Sequence, residues 1–259
     1  MRALVLLFSI IIAPAALAGA ILKVDRKDSA GKTVPHEVYY AQDGMLRIDS
    51  VDEHGTVGSF DVVRDGVIWR VDLRNRTFTR VDADTMKQMM GGNSSQLQAA
   101  LANLPPERRA ALQARLSQMQ QHGGANDYVF TDTGRSEQAG QYSCRVWTET
   151  HNGKPFAEYC VVATSSLPAG SELADAMKKA YATASQVLAG VPLAARQAER
   201  LTRMEKMNGF PARRRSLGSS GQAEDENVLE SAQSQQLPAD KFAIPKGFTE
   251  KPLGEHGGD

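Results

Sequence analysis

The sequence predicts an α+β fold, a long antiparallel sheet accompanied by a few amphipathic helices. Three observations carry this. Asp43-Gly44 and Asp65-Gly66 each divide two alternating runs between Ile21 and Val81, as two-residue hairpin turns do. Apolar spacing then lengthens to three and four residues between Asp84 and His122, and again between Ser171 and Asn208. Between those two stretches, runs of aromatic and β-branched residues flank the turn-rich His151-Asn152-Gly153-Lys154-Pro155 and return the chain to strands.

Residues 1–18 open with Met-Arg, continue through the apolar run Leu4 to Ile12 and end Ala16-Leu17-Ala18, the order of a secretory signal peptide cleaved before Gly19. The apolar run is shorter than the ~20 residues that span a bilayer, and the chain has no other segment of that kind. Glycine rather than cysteine after the cleavage point speaks against a lipid anchor. The expectation is a soluble periplasmic protein of a Gram-negative cell, with one domain over residues 19–253 and a disordered tail over 254–259. With 30 Lys and Arg against 30 Asp and Glu, no global field attracts nucleic acid or an anionic membrane.

Taking Asp43-Gly44 as a two-residue turn pairs Tyr39 with Ile48 and Ala41 with Leu46, and sets Val38 against Asp49 and Tyr40 against Arg47. Taking Asp65-Gly66 the same way pairs Phe60 with Val71, Val62 with Trp69 and Asp61 with Arg70. A turn at Arg74-Asn75-Arg76 adds Thr77 to Val81, with Phe78 extending the sheet. The apolar side is expected to run on from one hairpin to the next. A sheet apolar on one side only needs a cover, or must curl on itself.

Helical insertions are expected near 84–122 and 171–208. Asp84 caps a short helix through Met90, Ser94 or Ser95 caps another through Asn103, and Pro105-Pro106-Glu107 opens a third with Leu112, Leu116 and Met119 on one side. Its Arg108, Arg109 and Arg115 read as a solvated face. The run Leu104 to Arg109 faintly resembles the repeat of periplasmic Spy- and CpxP-type chaperones. From Ser171, the residues Leu173, Met177, Tyr181, Ala184 and Leu188 share a face, Gly190 and Pro192 interrupt, and Gly209 stops the helix. A strand Phe210 to Leu217 carries Arg213, Arg214 and Arg215, and Glu226 to Gln233 is its expected partner.

Cys144 and Cys160 lie in the two arms Gln141 to Thr150 and Phe156 to Ala163. If they face each other, the hairpin centres on Asn152 with a three-residue loop and Gly153 in the left-handed conformation. Facing residues are close enough for a disulfide, which closes a loop of about 15 residues and stabilises the fold by about 3 kcal/mol. No Cys-x-x-Cys spacing marks a redox pair, so the bond is read as structural.

The chain offers no catalytic motif. His36, His54, His122, His151 and His256 have no metal-ligand spacing, and there is no phosphate loop, Gly-x-Ser-x-Gly elbow or Ser-x-x-Lys set. Gly218-Ser219-Ser220-Gly221 reads as a loop. Neither enzyme activity nor a metal or other cofactor is expected.

Tyr39-Tyr40 before Asp43-Gly44-Met45-Leu46-Arg47-Ile48-Asp49, then Gly140-Gln141-Tyr142-Ser143-Cys144-Arg145-Val146-Trp147, then Cys160, then Phe242 to Phe248, resemble the secreted bacterial proteins grouped as domain of unknown function 4412. That group is similar to the periplasmic lipoprotein carriers LolA and LolB. The resemblance implies a LolA-like open half-barrel, a curved antiparallel sheet with helices covering its concave side, and brings no catalytic residues.

Two functional expectations follow. One is a periplasmic carrier that holds a lipid or lipoprotein acyl chain, with Tyr39, Phe60, Trp69 and Phe78 lining the site; a dry core made by the same four aromatics is the alternative. The other is an envelope stress or chaperone-like module, which holds a protein partner through the helices of Ser94 to His122 and through Arg213 to Arg215.

Overall fold

The computed structural model describes residues 18–28, 30–89, 102–111, 128–189, 195–218 and 221–254. The expected signal segment up to residue 17, most of the stretch from Ser94 to His122, the helix break at Gly190 and Pro192, and residues 255–259 of the expected tail lie outside the described residues.

The strands are β1 (Gly19–Asp28), β2 (Thr33–Gln42), β3 (Met45–Val51), β4 (Val57–Arg64), β5 (Val67–Asp72), β6 (Thr77–Val81), β7 (Tyr128–Ala139), β8 (Tyr142–His151), β9 (Lys154–Val162), β10 (Phe210–Leu217), β11 (Ala223–Gln235) and β12 (Thr249–Glu250). They form one sheet in the order β12-β6-β5-β4-β3-β2-β1-β11-β10-β9-β8-β7. Every pairing is antiparallel except β12 on β6, and the end strands β12 and β7 do not close on each other. With helices α1 (Gly170–Ala189) and α2 (Ala195–Glu205), the architecture is the expected α+β fold on an open sheet.

The Asp-Gly turns set the register where they stand. Asp43 and Gly44, and Asp65 and Gly66, all have positive φ, and the pairs Tyr39–Ile48, Ala41–Leu46, Phe60–Val71 and Val62–Trp69 form as the turns dictate. The junction between the hairpins overturns the expectation of one continuous apolar side. There β3 sets Leu46 opposite Val63 and Asp49 opposite Phe60. Facing residues share a side of the sheet, so Tyr39, Ala41, Leu46 and Ile48 lie on one face, and Phe60, Val62, Trp69, Val71 and Phe78 on the other. Turn chemistry specifies the phase within a hairpin; the phase between hairpins depends on the loop at 52–56 and the irregularity between Ser50 and Val51.

This half of the sheet therefore has two apolar faces and two covers. On the first, Leu173 and Ala176 of α1 pack with Ala20, Leu22, Ala41 and Leu46, and Met177 and Ala180 add to them. Small residues let the helix lie close. At its start, a Cβ on Gly170 would fall 1.7 Å from the Thr164 carbonyl oxygen, so only glycine fits there. On the second face the C-terminal segment lays Leu237, Phe242, Ile244 and Phe248 over Phe60, Val62 and Val71.

Cys144 and Cys160 are bonded, with Cα atoms 5.2 Å apart, inside the main core cluster. Their hairpin differs from expectation. Its turn is the two-residue Asn152-Gly153, both at positive φ, between His151 and Lys154. Asn-Gly suits that turn better than any three-residue loop. A register irregularity between Glu149 and Thr150 then places Cys160 opposite Val146, with Cys144 on the diagonal. The short helix at residues 83–89 is capped by Asp82, not Asp84: its Oδ1 accepts from the Thr85 amide at 2.8 Å, and Thr85 Oγ1 accepts from the Asp82 amide at 2.9 Å. β10 carries the three arginines as expected, and its partner β11 is longer than predicted at both ends.

Candidate binding site

The four aromatics expected to line one site are divided. Tyr39 stands on the helix side, edge-on to Phe210 with ring centroids 5.4 Å apart, and donates its hydroxyl to Glu37 at 2.5 Å. Burial first, and the Glu37 charge second, push that hydroxyl well above its ordinary pKa. Phe60 is 2% exposed on the other face, with the Arg47 guanidinium 3.5 Å from its ring centroid. Trp69 and Phe78 pack 5.9 Å apart beside it. Phe60, Trp69 and Phe78 lie under the C-terminal segment, on the face opposite Tyr39.

On the helix side the half of the sheet beyond β1 has a different character. One transverse row of facing residues crosses five strands: Arg26, Asn227, Arg214, Tyr159 and Trp147. At its far end Glu149, fully buried, accepts two bonds from the Arg200 guanidinium of α2, at 2.5 and 2.9 Å, and one from the Tyr159 hydroxyl at 2.6 Å. Arg200 also donates to the Tyr159 oxygen at 3.0 Å and lies over the rings of Tyr128 and Phe156. Burial, then Glu149, raises the Tyr159 hydroxyl to about 12. Every member of this knot satisfies another, as a buried charge requires.

At the near end the row opens into a cavity of about 310 Å³ lined by Val24, Arg26, His36, Glu37, Ser50, Arg214, Asp225 and Asn227. Its charges are mixed. Asp225 accepts from Arg26 at 3.3 Å through one oxygen; its other oxygen, Oδ1, is buried without a hydrogen bond and lies 4.0 Å from Arg214. The Asn227 Oδ1 atom is likewise buried without a donor. A second cavity of about 310 Å³ lies between the helices, where Met177, Tyr181 and Met204 meet Asp175, Lys178 and Glu205.

Arg213 and Arg215 are turned to the opposite face from Arg214, as alternation along β10 requires. Arg213, 9% exposed, donates to Glu137 at 2.5 Å, and Arg215 donates to Glu226 at 2.6 Å. The arginine run is thus divided between two sites, and its outer members are already paired. The polar row was missed because its members come from strands far apart in sequence; the one local clue was that Arg214 differs in phase from its two neighbours.

No protein-family model matches this chain, and no curated protein matches it. Three solved structures are similar in outline. An uncharacterized conserved protein from Thermus thermophilus aligns over 91% of this chain and 90% of its own, at 8% identity and a TM-score of 0.46. PNGF-II aligns over 91% of this chain and 31% of its own, at 8% identity and 0.42. MucB, from the MucA/MucB complex of Pseudomonas aeruginosa, aligns over 90% of this chain and 56% of its own, at 13% identity and 0.38. This chain therefore spans a little over half the length of that MucB chain.

Proposed function

We propose that this chain is a periplasmic binding protein without catalytic activity, which takes a polar ligand or a segment of a protein partner on the helix side of its sheet. The observation that supports this reading is the cavity at Arg26, Glu37, Arg214, Asp225 and Asn227, a concave place with convergent polar groups. An acyl chain needs a continuous apolar channel, and the aromatics expected to build one are packed on two different faces. Carboxylates near the cavity and along the row are held by donors, Glu37 by Tyr39 and Glu149 by Arg200 and Tyr159, an arrangement suited to recognition rather than proton transfer.

The test is native mass spectrometry of the protein purified from the periplasm, followed by solvent extraction and lipid analysis. A polar small molecule or a peptide released on denaturation is the expected result. A stoichiometric lipid or acylated peptide would overturn the reading in favour of a carrier.

A further inference from the structure

We infer that Asn152, at the tip of the β8–β9 hairpin, is a site of spontaneous covalent modification, at which the side-chain amide is lost and the residue becomes aspartate or isoaspartate. The backbone nitrogen of Gly153 attacks the side-chain amide carbon of Asn152. The new N–C bond closes a cyclic imide, the old C–N bond breaks, and ammonia leaves with the proton given up by the Gly153 nitrogen. A water molecule then opens the imide at either carbonyl, so the step needs no oxidant and no further reactant.

The reaction favours a glycine after the asparagine, because a Cβ there obstructs ring closure. Of the seven asparagines in the chain, two precede glycine, Asn152 and Asn208. They form an internal comparison. Both have positive φ, 55° and 46°, and both side chains are exposed. Their glycines differ. Beyond its chain neighbours, no described residue comes within 4 Å of the position a Cβ would take on Gly153. The same position on Gly209 is 2.5 Å from the Val162 carbonyl oxygen and 2.5 Å from a methyl of Val161. The Asn208 backbone amide also donates to the Glu205 carbonyl at 3.1 Å, and Phe210, 3% exposed, follows its glycine. Attack requires the asparagine backbone to rotate out of its left-handed turn. At an exposed loop tip that opening costs little, whereas at Asn208 it must part the end of α2 from β9. The isoaspartate product adds a methylene to the backbone between His151 and Lys154, which pair across the turn, and puts a carboxylate where the amide was neutral.

The experiment incubates the full-length protein at mildly alkaline pH, native and in urea. Mass spectrometry follows the two Asn-Gly peptides, and anion exchange separates the more acidic species. In the native protein Asn152 is expected to convert at least ~10-fold faster than Asn208, and in urea the two rates are expected to converge, since the protection of Asn208 is structural. Asn152→Gln is expected to abolish the first acidic species and to leave the conversion of Asn208 unchanged. Native conversion of Asn208 as fast as that of Asn152, or an Asn152 that stays intact in the native protein while it converts in urea, would overturn the inference.

Discussion

Two carboxylates are buried where a cover meets the sheet, one under α2 and one under the C-terminal segment, yet the two are used differently. Glu149 stands on β8 and its arginine on α2, so the ion pair itself crosses from sheet to helix. Asp49, 1% exposed, stands on β3 beside Arg47 of the same strand; they pair at 2.5 Å, and Arg47 reaches the C-terminal segment through the Lys241 carbonyl at 2.8 Å. In the first case the charges are the tether. In the second, charge also reaches the cover, through the Arg47 bond and through Lys241 Nζ 3.5 Å from Asp49, but the apolar packing under Phe242 shares the holding. A tether made of charge is specific in position but fails when one partner is lost. A tether made of apolar contact degrades in proportion to the area removed.

The sharpest way to break this contrast is Arg200→Met. It strands Glu149 in the interior with only the Tyr159 hydroxyl, and the expected loss is about 4 kcal/mol in urea unfolding. Replacing both partners, Glu149→Leu with Arg200→Met, is expected to recover much of that. A double variant no better than the single one would show that the pair is not the tether. Next in size is Phe242→Ala, which removes a side chain 1% exposed and is expected to cost about 3 kcal/mol, with hydrogen-exchange protection lost first in β12 and β6.

Lys241→Met sharpens the other side of the comparison. Lys241 lies 3.5 Å from Asp49 and over the Tyr40 ring, but Asp49 keeps Arg47, so the expected loss is about 1 kcal/mol. A loss as large as that of Arg200→Met would mean that the C-terminal segment too is held by charge. The smallest expected effect is alkaline. Tyr159 keeps its proton to about 12 when folded, while an unfolded tyrosine ionises near ~10. The unfolded chain binds fewer protons across that window, so stability falls as pH rises from about 10 to about 12. Tyr39 and Tyr181, also raised by burial, act in the same direction. Tyr159→Phe is expected to flatten the slope, read from unfolding midpoints taken across that pH range.

What was legible in the sequence was local. The pairing of Tyr39 with Ile48 follows from two residues, Asp43 and Gly44, and the strand at Arg213 to Arg215 from its bounding glycines. The two-residue turn at Asn152-Gly153 was legible too, but an assumed face-to-face cysteine pair displaced it, because a disulfide also tolerates the diagonal. Which face each hairpin presents was not legible: it depends on the loop at 52–56 and the irregular step at Ser50–Val51. Nor was the polar row, since the bond from Arg200 to Glu149 joins positions 51 residues apart, and the contact of Arg26 with Asp225 joins positions 199 apart.

That last separation bears on how the chain assembles. β1, the first described strand, lies in the middle of the sheet, between β2 and β11. The meander β1–β6 joins neighbours in sequence, whereas the seam between β1 and β11 must wait for almost the entire polypeptide. Contacts of such long range make folding slow. Until β11 arrives, the free edge of β1 presents unpaired amides and carbonyls, the template on which strands of other molecules add. The interval before the seam closes is therefore when aggregation competes with folding.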